Sequence, residues 1–241
     1  MGDSPLVSVV LPAYNEIENL EQTVLKVERA LEKLERFEVI IVDDGSTDGT
    51  KERADRLQER TRVTAIHHPY NRGYGAALRS GFKHAQGRYL FMMDADGQFD
   101  PQEFWALWER RNEADAVLGY RLQRKDPWLR RANAFGWNQL NRVMFGLRVQ
   151  DIDCAFKLLP KAFVQRAALC SDGATINVEM LVKFMRLGAT WIEVGVHHYP
   201  RLHGQATGAD PRVIVRAFRE LIELKKVLAD FTPVSEPIGP R

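Results

Sequence analysis

The sequence predicts a single α/β domain built on a doubly wound, mostly parallel sheet with helices on both faces. Short apolar runs typical of buried strands alternate with longer segments whose apolar residues recur at helical spacing. Turn and cap residues separate the two kinds of segment. A chain of 241 residues with 45% hydrophobic and 27% charged residues has the size and composition of a soluble globular domain, and no linker divides it.

The first part of the chain, about residues 1–119, alternates regularly between strands and helices. The predicted strands span residues 7–11, 37–42, 63–66, 89–93 and 116–119. The predicted helices span 16–34, 46 or 47 to about 59, and the stretch after the turn 71–75 to about 86, and a fourth begins at Asp100. Ser46 or Thr47 is a suitable cap, Gly87 suits a helix end, and residues 100–103 form a capping box. Strand–helix–strand repeats of this kind favour parallel pairing through right-handed crossovers.

The second part, about residues 120–231, is less regular. We expect helices over 128–147, 175–187 and 211–231, a strand over 191–196 and a loop over 200–210. Residues 232–241 contain three prolines and a glycine and are expected to form a flexible tail.

Charge and composition exclude several classes of function. A net charge of +2 without a long basic run argues against nucleic-acid binding. Two cysteines without a CxxC pair fit a reducing compartment. No segment has the ~18 uninterrupted apolar residues of a spanning helix. We therefore expect a cytoplasmic protein whose membrane contact, if any, is peripheral on the cytoplasmic face.

The most informative feature is the pair of carboxylates at Asp94 and Asp96, directly after the apolar strand 89–93. The carboxyl ends of parallel strands form the ligand-binding edge of such sheets. Two neighbouring carboxylates repel each other unless a cation lies between them, and Mg²⁺ or Mn²⁺ with a diphosphate partner suits such an oxygen site. The alternative is a solvated pair in a loop.

Asp43 and Asp44 follow a second strand and reach the same edge. Carboxylates there can accept hydrogen bonds from a ribose or a base, although a turn with a helix cap is the alternative. Gly73 and Gly75 lack the third glycine of a dinucleotide loop, which favours a structural role in a tight strand-to-helix turn.

Five stretches occur together in order: 12–16 (PAYNE), 43–50 (DDGSTDGT), 71–77 (NRGYGAA), 94–96 (DAD) and 151–157 (DIDCAFK). Together they resemble the inverting family 2 glycosyltransferases of GT-A fold, over about residues 7–208. Within that family the chain is most similar to the branch of the dolichyl- or polyprenyl-phosphate mannose synthases.

The resemblance implies a role for several residues on the donor side. It implies that Pro12, Tyr14 and Glu16 line the nucleotide-sugar pocket together with Asp43, Asp44, Asp94, Ala95 and Asp96. It also implies that the metal, Mg²⁺ or Mn²⁺, is held by Asp94, Asp96 and Gln98. For Glu16 the alternative is a charge in the first turn of a helix.

On the acceptor side the resemblance implies that Arg121 and Arg201 bind anions and that Asp153 acts as a base or orients the acceptor. The alternatives are ordinary surface arginines and, for Asp151 and Asp153, a helix cap or a buried salt bridge. The branch usually has a Ser-Lys element where this chain has Ala206-Thr207, which leaves the acceptor open.

The expected function is metal-dependent, inverting transfer of a hexose from GDP-mannose or UDP-glucose to a polyprenyl phosphate. The first alternative is a soluble transferase acting on a hydroxyl of a sugar, peptide or metabolite, with Asp153 as base. The second is a non-catalytic sugar-nucleotide-binding subunit of a membrane complex. Residues 127–147, which mix tryptophan and arginine, are candidates for peripheral membrane contact or for binding a membrane partner; packing on the sheet is the alternative.

Overall fold

The computed structural model describes residues 5–60, 62–122, 128–201 and 211–231, and of residues 128–135 and 211–218 it describes the backbone only. Within these ranges seven strands form one sheet in the order β3-β2-β1-β4-β6-β5-β7. The strands are β1 (Val7–Ala13), β2 (Phe37–Asp43), β3 (Val63–His67), β4 (Tyr89–Met92), β5 (Ala116–Leu122), β6 (Lys157–Pro160) and β7 (Trp191–His197).

The described helices are α1 (Leu20–Ala30), α2 (Thr50–Gln58), α3 (Tyr74–His84), α4 (Phe104–Glu109), α5 (Trp128–Phe145), α6 (Lys161–Ala167), α7 (Ile176–Arg186) and α8 (Pro211–Ala229). A 3₁₀ turn (Pro101–Glu103) precedes α4, and the Asp100 side chain caps it by accepting a bond from the amide of Gln102. The mostly parallel α/β sheet predicted from the sequence is confirmed.

Two helices begin later than the sequence predicts. The stretch before α1 is a turn in which the amides of Asn19 and Leu20 both donate to the carbonyl of Glu16. Before α2, the Ser46 hydroxyl accepts a hydrogen bond from the amide of Asn15 instead of capping a helix. Both predicted starts, at 16 and at 46 or 47, are therefore wrong by about one turn, because these residues bind the neighbouring loop.

Strand β6 and helix α6 have no counterpart in the prediction. β6 lies antiparallel between β4 and β5, with Leu159 opposite Leu90 and Leu158 opposite Val117. The remaining pairs, β1–β2, β1–β4, β2–β3 and β5–β7, are parallel. Because β6 runs backwards, its first residue Lys157 lies beside Met92, the last residue of β4. The segment 151–156 therefore arrives at the carboxyl edge of the parallel strands.

The core occupies both faces of the sheet, and all seven residues of β1 are buried. Helix α3 packs closely on β1 and β2 at Gly81, where a Cβ atom would lie 2.4 Å from Val10 Cγ1. On the other half, Phe91 makes edge contacts with Phe104 and Phe156 at ring-centroid distances of 5.0 and 4.8 Å. Within the described ranges, no helix combines the length and the apolar character needed to cross a bilayer.

Candidate active site

The predicted site residues meet at one edge of the sheet because each lies at or just after the end of a parallel strand, or just before the antiparallel strand that begins there. Tyr14 and Glu16 follow β1, Asp43 ends β2, and Asp94 follows β4. Arg121 is the next-to-last residue of β5, Asp153 precedes the antiparallel β6, and Arg201 follows β7. This edge is where open α/β sheets bind ligands.

Asp43 and Asp44 are buried and are held by His67, the last residue of the neighbouring strand β3, and by His68, which follows it. The Asp43 Oδ2 atom lies 3.1 Å from His67 Nδ1, and its Oδ1 accepts a bond from the Ser46 amide at 3.1 Å. The Asp44 Oδ1 atom lies 2.6 Å from His68 Nδ1. The sequence did not predict these pairs, because they depend on the register of the sheet, which places Asp43 opposite His67.

Asp44 also holds the turn that begins α3. Its two oxygens accept bonds from the amides of Arg72 and Gly73, at 3.0 and 2.8 Å. Gly73 has a φ of +104°, and a Cβ atom there would lie 2.4 Å from the carbonyl oxygen of Asp172. The structural role predicted for this glycine turn is confirmed, and the turn alternative fits Asp44. Contact of either aspartate with a nucleotide stays a prediction.

Asp94 differs from Asp43 and Asp44, whose carboxylate oxygens have hydrogen-bond partners. Its Oδ1 atom is buried and accepts no hydrogen bond from any residue in the described ranges. Burial, and then the negative charge of Asp96, raises the pKa of Asp94 to about 7, although the Tyr74 hydroxyl and nearby cations oppose this rise. A buried oxygen without a partner is costly, so this carboxyl group needs a proton or a cation.

A cation already lies against the second carboxylate. The Arg201 Nη2 atom is 3.1 Å from Asp96 Oδ2 and 2.6 Å from Glu16 Oε1. Burial raises the pKa of Glu16, while hydrogen bonds from Asn19 and Arg201 lower it. The segment that carries Arg201 is fixed by Gln98, which pairs with the backbone of Tyr199 through N–H···O bonds of 2.8 and 2.9 Å.

These residues fit a divalent metal whose coordination is completed by oxygens of the substrate. Within the described ranges, no three His, Cys, Asp or Glu side chains gather into a metal cluster. Mg²⁺ and Mn²⁺ are commonly held by one or two carboxylates together with substrate phosphates. The partnerless Asp94 oxygen and the guanidinium at Asp96 both show that this turn attracts positive charge. The Gln98 amide nitrogen binds Tyr199, so a role of its oxygen toward the metal stays a prediction.

Arg121 and Asp151 form a bidentate ion pair, with N···O distances of 2.6 and 2.8 Å. The buried salt bridge considered for Asp151 is therefore what the structure shows. The pair joins the end of β5 to the start of the segment 151–156. Arg121 faces this site with its guanidinium already neutralised, and its binding of a substrate anion stays a prediction.

Asp153 is exposed to solvent yet surrounded by protein on several sides. Its desolvation by these surroundings, and then the charge of Asp151, raises the pKa of Asp153 to about 6. Lys157, Arg121 and a hydrogen bond from the Trp137 indole act in the opposite direction. An accessible carboxylate whose pKa lies near neutrality suits a general base or a group that orients an acceptor.

Lys157 holds the backbone that carries this carboxylate. It is fully buried, and its Nζ donates to the Ile152 carbonyl at 3.1 Å, to the Cys154 carbonyl and to Asn177 Oδ1 at 3.3 Å. Burial lowers its pKa. The sequence motif contained Lys157, but only its contacts show that it holds the backbone on both sides of Asp153.

A family model described as glycosyl transferase family 2 matches residues 8–169. The chain belongs to glycosyltransferase family 2. A curated relative of this family 2 chain is the undecaprenyl-phosphate 4-deoxy-4-formamido-L-arabinose transferase of Aeromonas hydrophila subsp. hydrophila, which is 31% identical over 208 residues. The match covers 85% of this chain and 63% of the relative, so the chain spans less than two thirds of the relative's length.

Solved glycosyltransferases share the fold of this family 2 chain. The glucosyl-3-phosphoglycerate synthase of Mycobacterium tuberculosis, in complex with Mg²⁺ and UDP, has a TM-score of 0.71 at 19% identity, covering 92% of this chain and 80% of that one. The mannosyltransferase PcManGT of Pyrobaculum calidifontis, in complex with GDP-Man and Mn²⁺, has a TM-score of 0.66 at 19% identity, covering 96% and 66%. These similarities confirm the predicted GT-A architecture.

The remaining predicted donor-site residues of this family 2 chain lie at the end of β1 and in the Asp94–Asp96 turn. Pro12 is buried in the sheet, whereas the Tyr14 side chain is 44% exposed beside it. Ala95 is buried, and its carbonyl accepts a bond from the Thr23 hydroxyl at 3.2 Å. Ala206-Thr207 and the tail 232–241 lie outside the described residues, as do the side chains in the first half of α5.

Proposed function

We propose that this chain transfers a hexosyl group from a nucleotide-diphosphate sugar, GDP-mannose or UDP-glucose, to a polyprenyl phosphate with inversion at the anomeric carbon. The observation that carries the proposal is the placement of two carboxylates with raised pKa values, Asp94 and Asp153, at one edge of the sheet. The curated relative, named for transfer to undecaprenyl phosphate, supports the acceptor class. Solved neighbours in complex with GDP-Man or UDP support a nucleotide sugar as donor.

The donor end of the site is the Asp94–Asp96 turn. Asp94 and Asp96, with Gln98 beside them, would hold Mg²⁺ or Mn²⁺ against the diphosphate, with Pro12, Tyr14, Glu16 and Asp43 toward the nucleoside. When bound, the metal would stabilise the charge of the departing nucleoside diphosphate. The chain's own part is to hold two carboxylates in a partly buried turn where electrostatic attraction is strong.

In our proposal, the guanidinium of Arg201 changes partners when the substrate binds. Its guanidinium pairs with Glu16 and Asp96. Arrival of a diphosphate and its metal supplies Asp96 with a different cation and offers the guanidinium phosphate oxygens, which it can bind in a bidentate manner. Arg201 would then stabilise phosphate charge, on the leaving group or on the acceptor, in the transition state.

The acceptor end is the segment 151–156. A phosphate acceptor is already anionic at neutral pH and needs no strong base, so Asp153 would orient the acceptor or an arginine. The Arg121–Asp151 ion pair and Lys157 fix the backbone around Asp153. Positioning of two reactants in line supplies most of the rate enhancement in such a reaction.

One observation favours a second candidate function, transfer to a hydroxyl group. Asp153 combines solvent access with a pKa raised to about 6, and such a carboxylate is mostly ionised at neutral pH and able to accept a proton from a hydroxyl. In that case the acceptor is a sugar, a peptide or a metabolite, and Asp153 is the base.

The two candidates differ in where the labelled product partitions. Purified protein is incubated with Mn²⁺, radiolabelled GDP-mannose or UDP-glucose, and either undecaprenyl or dolichyl phosphate or a set of sugar, peptide and metabolite acceptors. We expect label in the organic phase with the wild type and none with Asp96→Asn, which keeps the size of the side chain. Transfer of label only to water-soluble acceptors would support the hydroxyl candidate, and absence of transfer to any acceptor would refute both.

A further inference from the structure

Helices α3 and α6 border a cleft of about 390 Å³ that contains none of the residues of the proposed reaction. Its cationic side chains come from α3 and the turn before it, and they are Arg72, Arg79 and Lys83. Its apolar side chains are Phe82, Val164 and Leu169. None of the carboxylates that the structure describes lines the cleft. A volume in the range of small-molecule sites and a lining without negative charge together suit an anionic ligand.

The Arg79 guanidinium is already oriented by the protein. Its Nη1 donates to the Cys170 carbonyl and to Asp172 Oδ1, at 2.6 Å each. Its Nε and Nη2 atoms donate to no residue in the part of the chain that the structure describes. These two nitrogens form one of the forks with which arginine binds two oxygens of a phosphate or a carboxylate. Because the side chain is held in advance, less conformational entropy is lost when an anion binds to it.

The charge of the cleft is compensated only in part. Among residues 5–60, 62–122, 128–201 and 211–231, neither Arg72 nor Lys83 has an ion-pair partner, and only Arg79 pairs with a carboxylate, that of Asp172. Three cations against one carboxylate leave an excess of two positive charges. A phosphate monoester carries nearly two negative charges at neutral pH, whereas a carboxylate carries one. The charge balance therefore favours a phosphate monoester.

The cleft also has room for the organic group of such an ester. Its volume of about 390 Å³ exceeds that of an inorganic phosphate ion. The Ser80 hydroxyl at its wall lies 2.8 Å from His68 Nε2, so this polar group already has a partner within the protein. The three apolar side chains form the remaining surface on which an organic group would pack.

We propose that the cleft between α3 and α6 is a second ligand site, which binds a phosphate monoester through Arg72, Arg79 and Lys83. The site shares no residue with the donor or acceptor ends of the proposed reaction, so the inference does not depend on the proposed function. The same chemical group occurs in soluble phosphate esters and in the headgroup of phosphatidic acid, and the test separates these two sources.

Binding is measured by calorimetry without metal or nucleotide. The probes are phenyl phosphate, inorganic phosphate, phenyl sulfate as a monoanion of similar shape, and phosphatidylcholine vesicles with and without phosphatidic acid. We expect saturable binding of phenyl phosphate or of the vesicles that contain phosphatidic acid. Lys83→Gln and Arg79→Gln should each raise that Kd about tenfold or more, since each removes a charge-assisted contact.

The matched control is Lys26→Gln, which replaces an exposed lysine of α1 outside the cleft and should leave the Kd unchanged. Arg79 also holds the loop that contains Cys170 and Asp172, so its variant can alter the fold. Lys83 has no ion-pair partner in the described ranges, and its variant tests the site without that complication. Thermal unfolding of each variant shows whether the fold is kept.

Each outcome decides the inference. Binding of phenyl phosphate that both cleft variants weaken supports a soluble ester, and binding that requires phosphatidic acid and is weakened in the same way supports a lipid headgroup. Equal affinity for phenyl sulfate would overturn the assignment to a phosphate monoester. If Lys83→Gln binds like the wild type while Arg201→Gln loses binding, the phosphate lies at the catalytic edge and the inference is wrong. Absence of saturable binding of every probe up to about 10 mM would also refute it.

Discussion

At the scale of single residues, the carboxylates of the site fall into two groups. Asp43, Asp44 and Asp151 have their oxygens occupied by histidine, amide or guanidinium donors. Asp94 and Asp153 have pKa values raised to about 7 and about 6, because desolvation of their charge by the surrounding protein is incompletely compensated. Unsaturated charge of this kind destabilises a fold unless a ligand uses it. The first group therefore builds the candidate site, and we propose that the second is available to substrates.

Asp94→Asn should separate metal binding from folding. The substitution removes a poorly compensated charge, so we expect the melting temperature without ligand to be unchanged or slightly higher. Stabilisation by Mn²⁺ with the preferred nucleoside diphosphate should disappear, and kcat/KM should fall about a hundredfold or more, as for loss of one charge-stabilising group. Thermal shift with and without Mn²⁺ measures this, with the exposed Glu113→Gln as control. Retention of the full Mn²⁺-dependent shift in Asp94→Asn would show that the metal binds elsewhere.

Asp153 should give the reaction its acidic pH limit. Its pKa is raised above the ordinary value, so the carboxylate loses its charge as the pH falls through about 6. We expect kcat/KM to decrease about tenfold per pH unit below that point if the reaction needs the ionised form. Asp153→Asn should lower the rate at neutral pH and remove this decrease. A wild-type profile that is flat between pH 5 and 7 would contradict the role.

The raised pKa of Asp153 also makes the stability of the fold depend on pH. Asp153 is protonated more readily in the folded chain than in the unfolded one, so between about pH 4 and pH 6 the folded state binds more protons. Its contribution to the free energy of unfolding therefore becomes less favourable as the pH rises through that range. Because the side chain is exposed, solvent screening keeps this contribution small.

At the scale of elements, the glycine turn before α3 is the feature most sensitive to a small change. Gly73→Ala places a methyl group 2.4 Å from a backbone carbonyl at a φ of +104°, and we expect a loss of at least about 2 kcal/mol in the free energy of unfolding. The control is Gly136→Ala in α5, where nothing lies within 4 Å of the new methyl group. That variant should be neutral or up to about 1 kcal/mol more stable. Urea unfolding measures both, and equal stability of the two variants would contradict the close packing at residue 73.

The first-half strands were predictable because each combines an apolar run with a turn or cap signal. β6 was not predictable, since its four residues begin with a lysine and end with a proline, and its place depends on pairing with β4 and β5 from distant parts of the chain. The helix starts before α1 and α2 were missed for a related reason. Ser46 and Glu16 look like cap or first-turn residues, but both contact other loops.

The location of the site followed from the same signals, since strand ends identify the edge where its residues meet. The hydrogen bonds and ion pairs between the site residues could not be predicted in this way. The bonds of His68 to Asp44 and of Arg121 to Asp151 join residues 24 and 30 positions apart. Such contacts depend on the register of the folded sheet, which a local pattern does not contain.

At the scale of the whole molecule, Arg201 links the last strand of the sheet to the first. It brings the end of β7 against Glu16 after β1 and Asp96 after β4. Arg201→Gln should have two opposite effects. Because the guanidinium competes for Asp96, removing it should tighten Mn²⁺ binding a few-fold in the absence of nucleotide, while loss of a phosphate partner should lower kcat/KM about a hundredfold.

Titration of Mn²⁺, followed by calorimetry, measures the first effect and steady-state kinetics the second. Arg110→Gln, at an exposed pair with Glu113, is the control for the loss of a surface arginine. Weaker Mn²⁺ binding in Arg201→Gln would mean that the arginine supports the metal turn instead of competing with the cation.

The reversed strand β6 has a consequence for how such an enzyme can change its partners. Main-chain bonds secure this strand to both neighbours, and they tolerate many side chains. The six residues ahead of it, 151–156, are far less tolerant: all but Asp153 are buried, Asp151 pairs with Arg121, and Phe156 packs on Phe91. A new acceptor would therefore be accommodated by substitution at the exposed position 153, with the buried frame on both sides of it inherited unaltered.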